Sequence, residues 1–163
     1  MRLLGIDPGF DRTGIGLVDH ARGKMAWVWH GCIQTSAKDP FAVRLQQVRN
    51  GLKEVLERAK PDAAVVERLF FQTNVKTALD VGMARGIVVL ALADARVPLI
   101  ELTPNQVKQG IAGYGAADKK QVQAMVQRLL GLKDIPKPDD AADALALAIV
   151  GGPIAQANTL SKK

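Results

Sequence analysis

The chain opens on a short apolar run, Leu3-Leu4-Gly5-Ile6, closed by Asp7 and a Pro8-Gly9 turn, the pattern of a strand. Gly14 to Asp19 (GIGLVD) reads as a second strand, and His20-Ala21-Arg22-Gly23-Lys24 turns the chain back. Met25 to Ile33 reads as a third, with Trp27 and Trp29 at period-two spacing. Connections this short predict an antiparallel meander of three strands. The period then changes. Asp39-Pro40 supplies an N-cap and a proline at the first helical position, and Phe41, Leu45, Val48, Leu52, Val55 and Ala59 recur at helical spacing until Pro61. Ala63-Ala64-Val65-Val66-Glu67 reads as a buried strand ending in an acid. Val75 to about Ala95 reads as a long apolar helix buried on more than one side, and Pro98 to Leu102 as a fifth strand. Asp118 and Gln121 have the spacing of a capping box ahead of Val122, Met125, Val126, Leu129 and Leu130, a helix closed by Gly131. A last helix is expected to start near Asp139–Asp140 and to run to Val150, where Gly151-Gly152-Pro153 ends it.

This order predicts an α/β fold: a mixed five-stranded sheet flanked by helices, in one domain over residues 1–152. Residues 153–163 are expected to form a flexible polar tail. Hydrophobic residues at 48% and charged residues at 23% exclude a disordered chain. The single cysteine, Cys32, offers no intramolecular disulfide and no cysteine-based metal site. The opening run Met1-Arg2-Leu3-Leu4-Gly5-Ile6 is stopped by the charge of Asp7 too early for a secretory signal to be expected, and the most apolar run, Ile87 to Ala93, is far short of a membrane span. A cytoplasmic protein with no membrane contact is expected. Lys and Arg number 22 against 16 Asp and Glu, a net charge of +6 that favours a polyanionic partner.

Within this basic chain, acids stand where neutral residues would serve. Asp7 ends the first strand and Glu67 the fourth, while Asp140 and Asp143, at i and i+3, share one side of the last helix's first turn. Singly, each has an ordinary explanation: a turn former, a solvated strand end, a complement to the helix dipole. Together they are harder to dismiss. If strands one and four are neighbours, Asp7 and Glu67 meet at the carboxyl edge of the sheet, where sites in such folds gather. Two unit charges about 4 Å apart repel by roughly 4 kcal/mol at an effective dielectric near 20. Divalent cations remove that repulsion, and carboxylate oxygens are what Mg²⁺ or Mn²⁺ prefer. Phosphodiester hydrolysis with two ions is the chemistry this pattern favours.

The residues also resemble a known family. Gly5-Ile6-Asp7-Pro8-Gly9 with Thr13-Gly14, Glu67-Arg68-Leu69-Phe70 with Asn74, and Ala84-Arg85-Gly86 are similar to the RuvC family of bacterial Holliday-junction resolvases. So are Gln106-Val107-Lys108, Gly113-Tyr114-Gly115 with Lys119, and Asp140-Ala141-Ala142-Asp143. The resemblance implies a ribonuclease-H-like fold, and a homodimer that cuts four-way DNA junctions by paired nicks. It implies Asp7, Glu67, Asp140 and Asp143 as catalytic acids and ligands of Mg²⁺ or Mn²⁺, two ions per site. It further implies Lys108 and Lys119 at the scissile region, with Lys119 catalytic, and Phe70 or Phe71 as an aromatic stacking on a base. Lys120, Arg68 and Lys76 are candidate phosphate contacts, with Arg85 beside them, and RuvA and RuvB branch-migration proteins are implied partners. Dimerisation through the long helix is implied as well. Asp139, at i−1 to Asp140, is expected to point elsewhere, and His20, His30 and Cys32 to be structural.

Three rivals weigh less. The Asp7-Pro8-Gly9…Thr13-Gly14 stretch also resembles the phosphate loop of sugar-kinase and actin-like ATPases, which need two such domains. A module that binds branched nucleic acid without cutting it would gain affinity by losing the acids. A related nuclease acting on RNA fits the Asp140–Asp143 ending and Phe70 less well.

Overall fold

A computed structural model describes residues 1–68 and 75–160. Five strands form one sheet: β1 (Arg2–Asp7), β2 (Arg12–Ala21), β3 (Lys24–Gln34), β4 (Ala63–Glu67) and β5 (Leu99–Leu102), in the order β3-β2-β1-β4-β5. The first three are antiparallel, and β1-β4-β5 run parallel. The helices are α1 (Phe41–Ala59), α2 (Val75–Asp94), α3 (Pro104–Ala112), α4 (Lys119–Leu130) and α5 (Asp139–Leu160). The predicted mixed sheet and its opening meander are therefore present.

Strand alternation divides the core in two. Leu4, Ile6, Ile15, Leu17, Ala64 and Val66 face α1 and α2, packing on Leu52, Leu56, Val88 and Leu92. Leu3, Val18, Ala63, Val65 and Leu102 face the other way, onto α3, α4 and α5. By the same period, Asp7 and Glu67 lie on the α5 side of their strands. That layer is unusually close to the sheet. A Cβ at Gly5 would overlap the carbonyl oxygen of Ala144, and one at Gly14 would overlap that of Asp140. The backbone of α5 thus occupies the space that side chains on β1 and β2 would fill.

Four expectations need correction. A helix over Pro104–Ala112 was not foreseen, although Thr103 caps it with Gln106 in a capping box and Pro104 stands in its first turn. α5 does not stop at Gly151-Gly152-Pro153 but continues to Leu160, so residues 153–160 are helical rather than a loose tail. The two glycines serve packing instead: a Cβ would strike Val65 from Gly151 and the His20 ring from Gly152. His20 itself is buried and bonds through Nε2 to the Ala148 carbonyl, one turn before Pro153. α2 is buried on one side only, with Leu79 64% and Leu90 55% exposed. At the head of α1, Pro40 is the N-cap, and Asp39 instead accepts a hydrogen bond from Gln47 Nε2.

A further correction concerns β3. Trp29 pairs with Leu17 and Trp27 with Val18, so Val28 is an extra residue in a β-bulge. Leu17 and Val18 belong to opposite layers of the core. The two tryptophans therefore project from opposite faces of the sheet, not from one.

The contact between α5 and β1 generates a prediction. Gly5→Ala should destabilise the chain by at least about 2 kcal/mol, in the range of overpacking substitutions, while Gly23→Ala in the exposed β2–β3 turn, at φ +76°, should lose only about 1 kcal/mol to its left-handed backbone and leave the α5 layer undisturbed. Urea unfolding checks both; equal losses at the two positions would contradict the close approach.

Candidate active site

Asp7 and Glu67 are placed by the sheet. β1 and β4 are parallel, with Gly5 opposite Val65 and Ile6 opposite Val66, so the next residues, Asp7 and Glu67, stand side by side at the carboxyl edge. Asp143 comes from α5, held over that edge by the missing side chains at Gly5 and Gly14. Asp7, Glu67, Asp143, Lys108 and Lys119 line one cleft of about 230 Å³. Asp140, one turn earlier on α5, opens onto an adjoining hollow with Arg12 and Lys137. Lys119 borders both.

The loop after Asp7 is rigidly held. Thr13 Oγ1 donates to the Gly9 carbonyl at 2.9 Å, and Thr35 Oγ1 to that of Phe10 at 2.8 Å. The buried Arg44 guanidinium lies 3.9 Å from the centre of the Phe10 ring, pairs with Asp11, and donates through Nε to Thr35 Oγ1. Phe10 stacks on Phe41, ring centres 4.8 Å apart. Lys119 is positioned as firmly. Asp118 caps α4, accepting from the Gln121 backbone N–H at 2.8 Å, while Gln121 Oε1 accepts from the Asp118 N–H at 2.9 Å. Tyr114 Oη donates to the same Gln121 oxygen. Lys119 is the first residue of the helix so fixed.

The electrostatics show strain among the acids. Burial, then the charges of Asp143, Glu67 and Asp140, push the Asp7 carboxyl up to about 7, against the pull of Lys119. Burial and Asp143 raise Glu67, opposed by Lys108. Burial also raises Asp143, although Lys119 Nζ lies 3.2 Å from its Oδ2. Burial works against the Lys119 ammonium, but Asp143 and Asp139 more than offset it and hold its pKa above the ordinary value.

Two contributors escaped the sequence reading. Asp139 does not point away: its Oδ2 is 3.4 Å from Lys119 Nζ, so it shares that ammonium with Asp143. Arg12 NH1 stands 3.7 Å from Asp140 Oδ2. The hairpin turn after Asp7 was the available signal for Arg12, because the β1–β2 pairing sets Gly14 opposite Asp7 and so returns the chain to the same edge. Lys120 and Arg68 are exposed and line neither hollow. Arg85 pairs with Glu101 on β5 and is not free to track phosphates. Phe70, Phe71 and the Lys76 side chain lie outside the described residues. His30 and Cys32 sit on β3, and burial, followed by the Asp140 charge, raises the Cys32 thiol to about 11, an unreactive state.

Comparison with known proteins decides the family. A family model described as crossover junction endodeoxyribonuclease RuvC matches residues 3–151. The chain belongs to the RuvC family. A Chloroflexus aurantiacus relative named crossover junction endodeoxyribonuclease RuvC is 54% identical over 149 residues, 91% of either chain. The RuvC structure from Thermus thermophilus, 38% identical, superposes with a TM-score of 0.87 over 98% of both chains. The same organism's RuvC in complex with a Holliday junction substrate superposes at 0.90, covering 98% of this chain and 97% of that one. The ribonuclease-H-like fold expected for RuvC-family chains is thus the one observed. Among the described residues no helix is long and apolar enough to cross a membrane.

The donor set suits a hard divalent cation. Every candidate ligand is a carboxylate oxygen, and burial together with the neighbouring acids raises the Asp7 carboxyl to about 7 despite Lys119, so its ionised form would gain from further positive charge. Among the described residues no three such side chains already form a finished cage, and Asp143 is paired with Lys119.

A pH dependence follows. Below about pH 3 Asp7 is largely protonated whether the chain is folded or not. As pH rises, the unfolded chain ionises near 3.8 while the folded one keeps its proton to about 7, so stability is lost across that window. At about 1.36 kcal/mol per unit the loss is on the order of 4 kcal/mol. Urea melts of the metal-free chain from pH 4 to 8 should show the decline, and Asp7→Asn should flatten it. Parallel curves for the two proteins would refute the assignment.

Proposed function

We propose that this chain is a structure-selective endodeoxyribonuclease that resolves four-way DNA junctions by paired nicking, in recombination and repair. The observation that carries the reading is Asp7, crowded by Glu67, Asp140 and Asp143 at the end of the central strand of a basic RuvC-family chain. Mg²⁺ or Mn²⁺, two ions, would be held by Asp7, Glu67, Asp140 and Asp143. Bound there, they supply a water activated for attack on phosphorus and charge neutralisation at the departing oxygen.

The protein's own groups do the rest. Lys119, fixed at the head of α4 beside Asp143, meets charge developing on the scissile phosphate. Lys108 lines the same cleft and balances Glu67. Arg12 holds Asp140 at the neighbouring rim. Phe70 is assigned the stacking role on a base at the junction centre, and Arg68, Lys76 and Lys120 the outer phosphate contacts, on the family resemblance. The exposed Leu79 and Leu90 give α2 an apolar outer face, which supports a homodimer joined through that helix and carrying two cutting sites. Action with RuvA and RuvB, in the cytoplasm, belongs to the same reading.

A synthetic four-way junction and a matched linear duplex, each with Mg²⁺, Mn²⁺ or chelator, test the proposal. Paired, metal-dependent nicks on the junction alone are expected, abolished by Asp7→Asn while binding persists. Tight binding without cutting under any metal would sink the nuclease reading. Lys119→Ala should slow cutting of saturating junction by about 10²–10³-fold, the scale of losing one transition-state donor. Leu90→Glu should yield monomers in sedimentation and unpaired nicks; an intact dimer would displace the interface from α2.

A further inference from the structure

A second hollow lies along the exposed edge of the sheet, between β3 and the segment that joins α4 to α5. Trp27 and His30 line it from the strand, and Gln127, Lys133, Asp134 and Lys137 from the other side. The bulge at Val28 creates this pairing of residues. Trp27 is opposite Val18 and His30 opposite Gly16, both on the α5 side of β2, so residues three apart share a face that regular alternation would deny them. Trp27 is 44% exposed, yet its indole is not loose: Nε1 donates to His30 Nδ1 at 2.9 Å. Burial lowers the His30 pKa, consistent with the neutral ring that this bond requires.

Beside this fixed aromatic surface stand two exposed ammonium groups. Among the described residues neither Lys133 nor Lys137 forms an ion pair. Lys137 also lines the hollow that holds Asp140 and Lys119, so the two hollows meet at that residue. Along β2 the distance from Gly14, at the acids, to Val18, at Trp27, is four residues, or about 13 Å of strand. That equals the rise of about four base pairs of duplex at ~3.4 Å each.

From this geometry we infer that the Trp27 hollow holds the sugar–phosphate backbone of one duplex arm, about four base pairs beyond the cut. Lys133 and Lys137 meet its phosphates, and the indole lies against the sugars. The inference rests on the nuclease reading above and extends it from the cutting site to a second grip on the arm. Charge decides for DNA over an apolar partner, because two unpaired ammonium groups flank the aromatic face and outnumber the one carboxylate of the hollow, Asp134.

The test joins salt dependence to fluorescence. Each phosphate contact contributes about 0.9 to the slope of log affinity against log salt. The Lys133→Ala/Lys137→Ala double variant should therefore bind the four-way junction with a slope shallower by about 1 to 2, with its thermal unfolding unchanged. The chain has two tryptophans, and the bulge sets them on opposite faces. In a Trp29→Phe background, Trp27 emission should be quenched when the junction is added; in a Trp27→Phe background, Trp29 emission should not respond. An unchanged slope, or a response from Trp29 in place of Trp27, overturns the inference while leaving native cutting intact. A native chain that fails to bind the junction at all overturns the nuclease reading itself.

Discussion

The contact on which the rest depends is the seating of the α5 backbone directly on β1 and β2. Side chains normally hold a helix away from a sheet; here Gly5 and Gly14 remove them where α5 crosses. The approach does two things at once. It closes the larger half of the core, bringing Leu145 and Ala148 against Leu3 and Val18. It also lowers the first turn of α5 until Asp140 and Asp143 share a boundary with Asp7. A helix held one side chain higher would still cover the sheet, but its carboxylates would be separate, solvated acids.

Bringing them together creates an electrostatic problem that the fold answers with cations of its own. Lys119 lies between Asp139 and Asp143, Arg12 beside Asp140, and Lys108 beside Glu67. These are compensations of partial strength: burial and the other acids leave the Asp7 carboxyl near 7 even against the pull of Lys119. The side-chain cations thus leave part of the negative charge at this edge uncompensated. Its rigidity comes from outside the acids. The Arg44–Phe10–Asp11 clamp and the capping box of α4 fix the loop and the lysine before any ligand arrives.

Much of this was legible in the sequence, because period-two alternation and the acid at the end of each strand are local signals. Asp7 and Glu67 could be assigned to one edge from their strands, and Asp140 with Asp143 to one helix side from their spacing. What escaped depends on tertiary context. Gly151-Gly152-Pro153 has the composition of a helix stop, yet burial against Val65 and His20 selects small residues for packing and the helix continues. Thr103 to Gln106 carried a capping box, but the helix it starts buries only Val107 and Ile111, too few positions to show a period. Trp27 and Trp29 obeyed a strand pattern that one inserted residue reverses. Asp139 turned toward Lys119 because an ammonium shared by two carboxylates is a stronger guide than position along a helix.

The order of the acids along the chain has a further meaning. Asp140 follows Glu67 by 73 residues, and α5 is the element that completes the site. During synthesis at about 5–20 residues per second, β1, β2 and β4 precede α5 by roughly 4–15 seconds. Through that interval the glycine surface of the sheet is bare and the carboxylates are incomplete. A nascent chain of this kind holds only Asp7 and Glu67 of the four acids at that edge until α5 docks. Chain order thus sets the completion of the acidic edge after the sheet on which it stands.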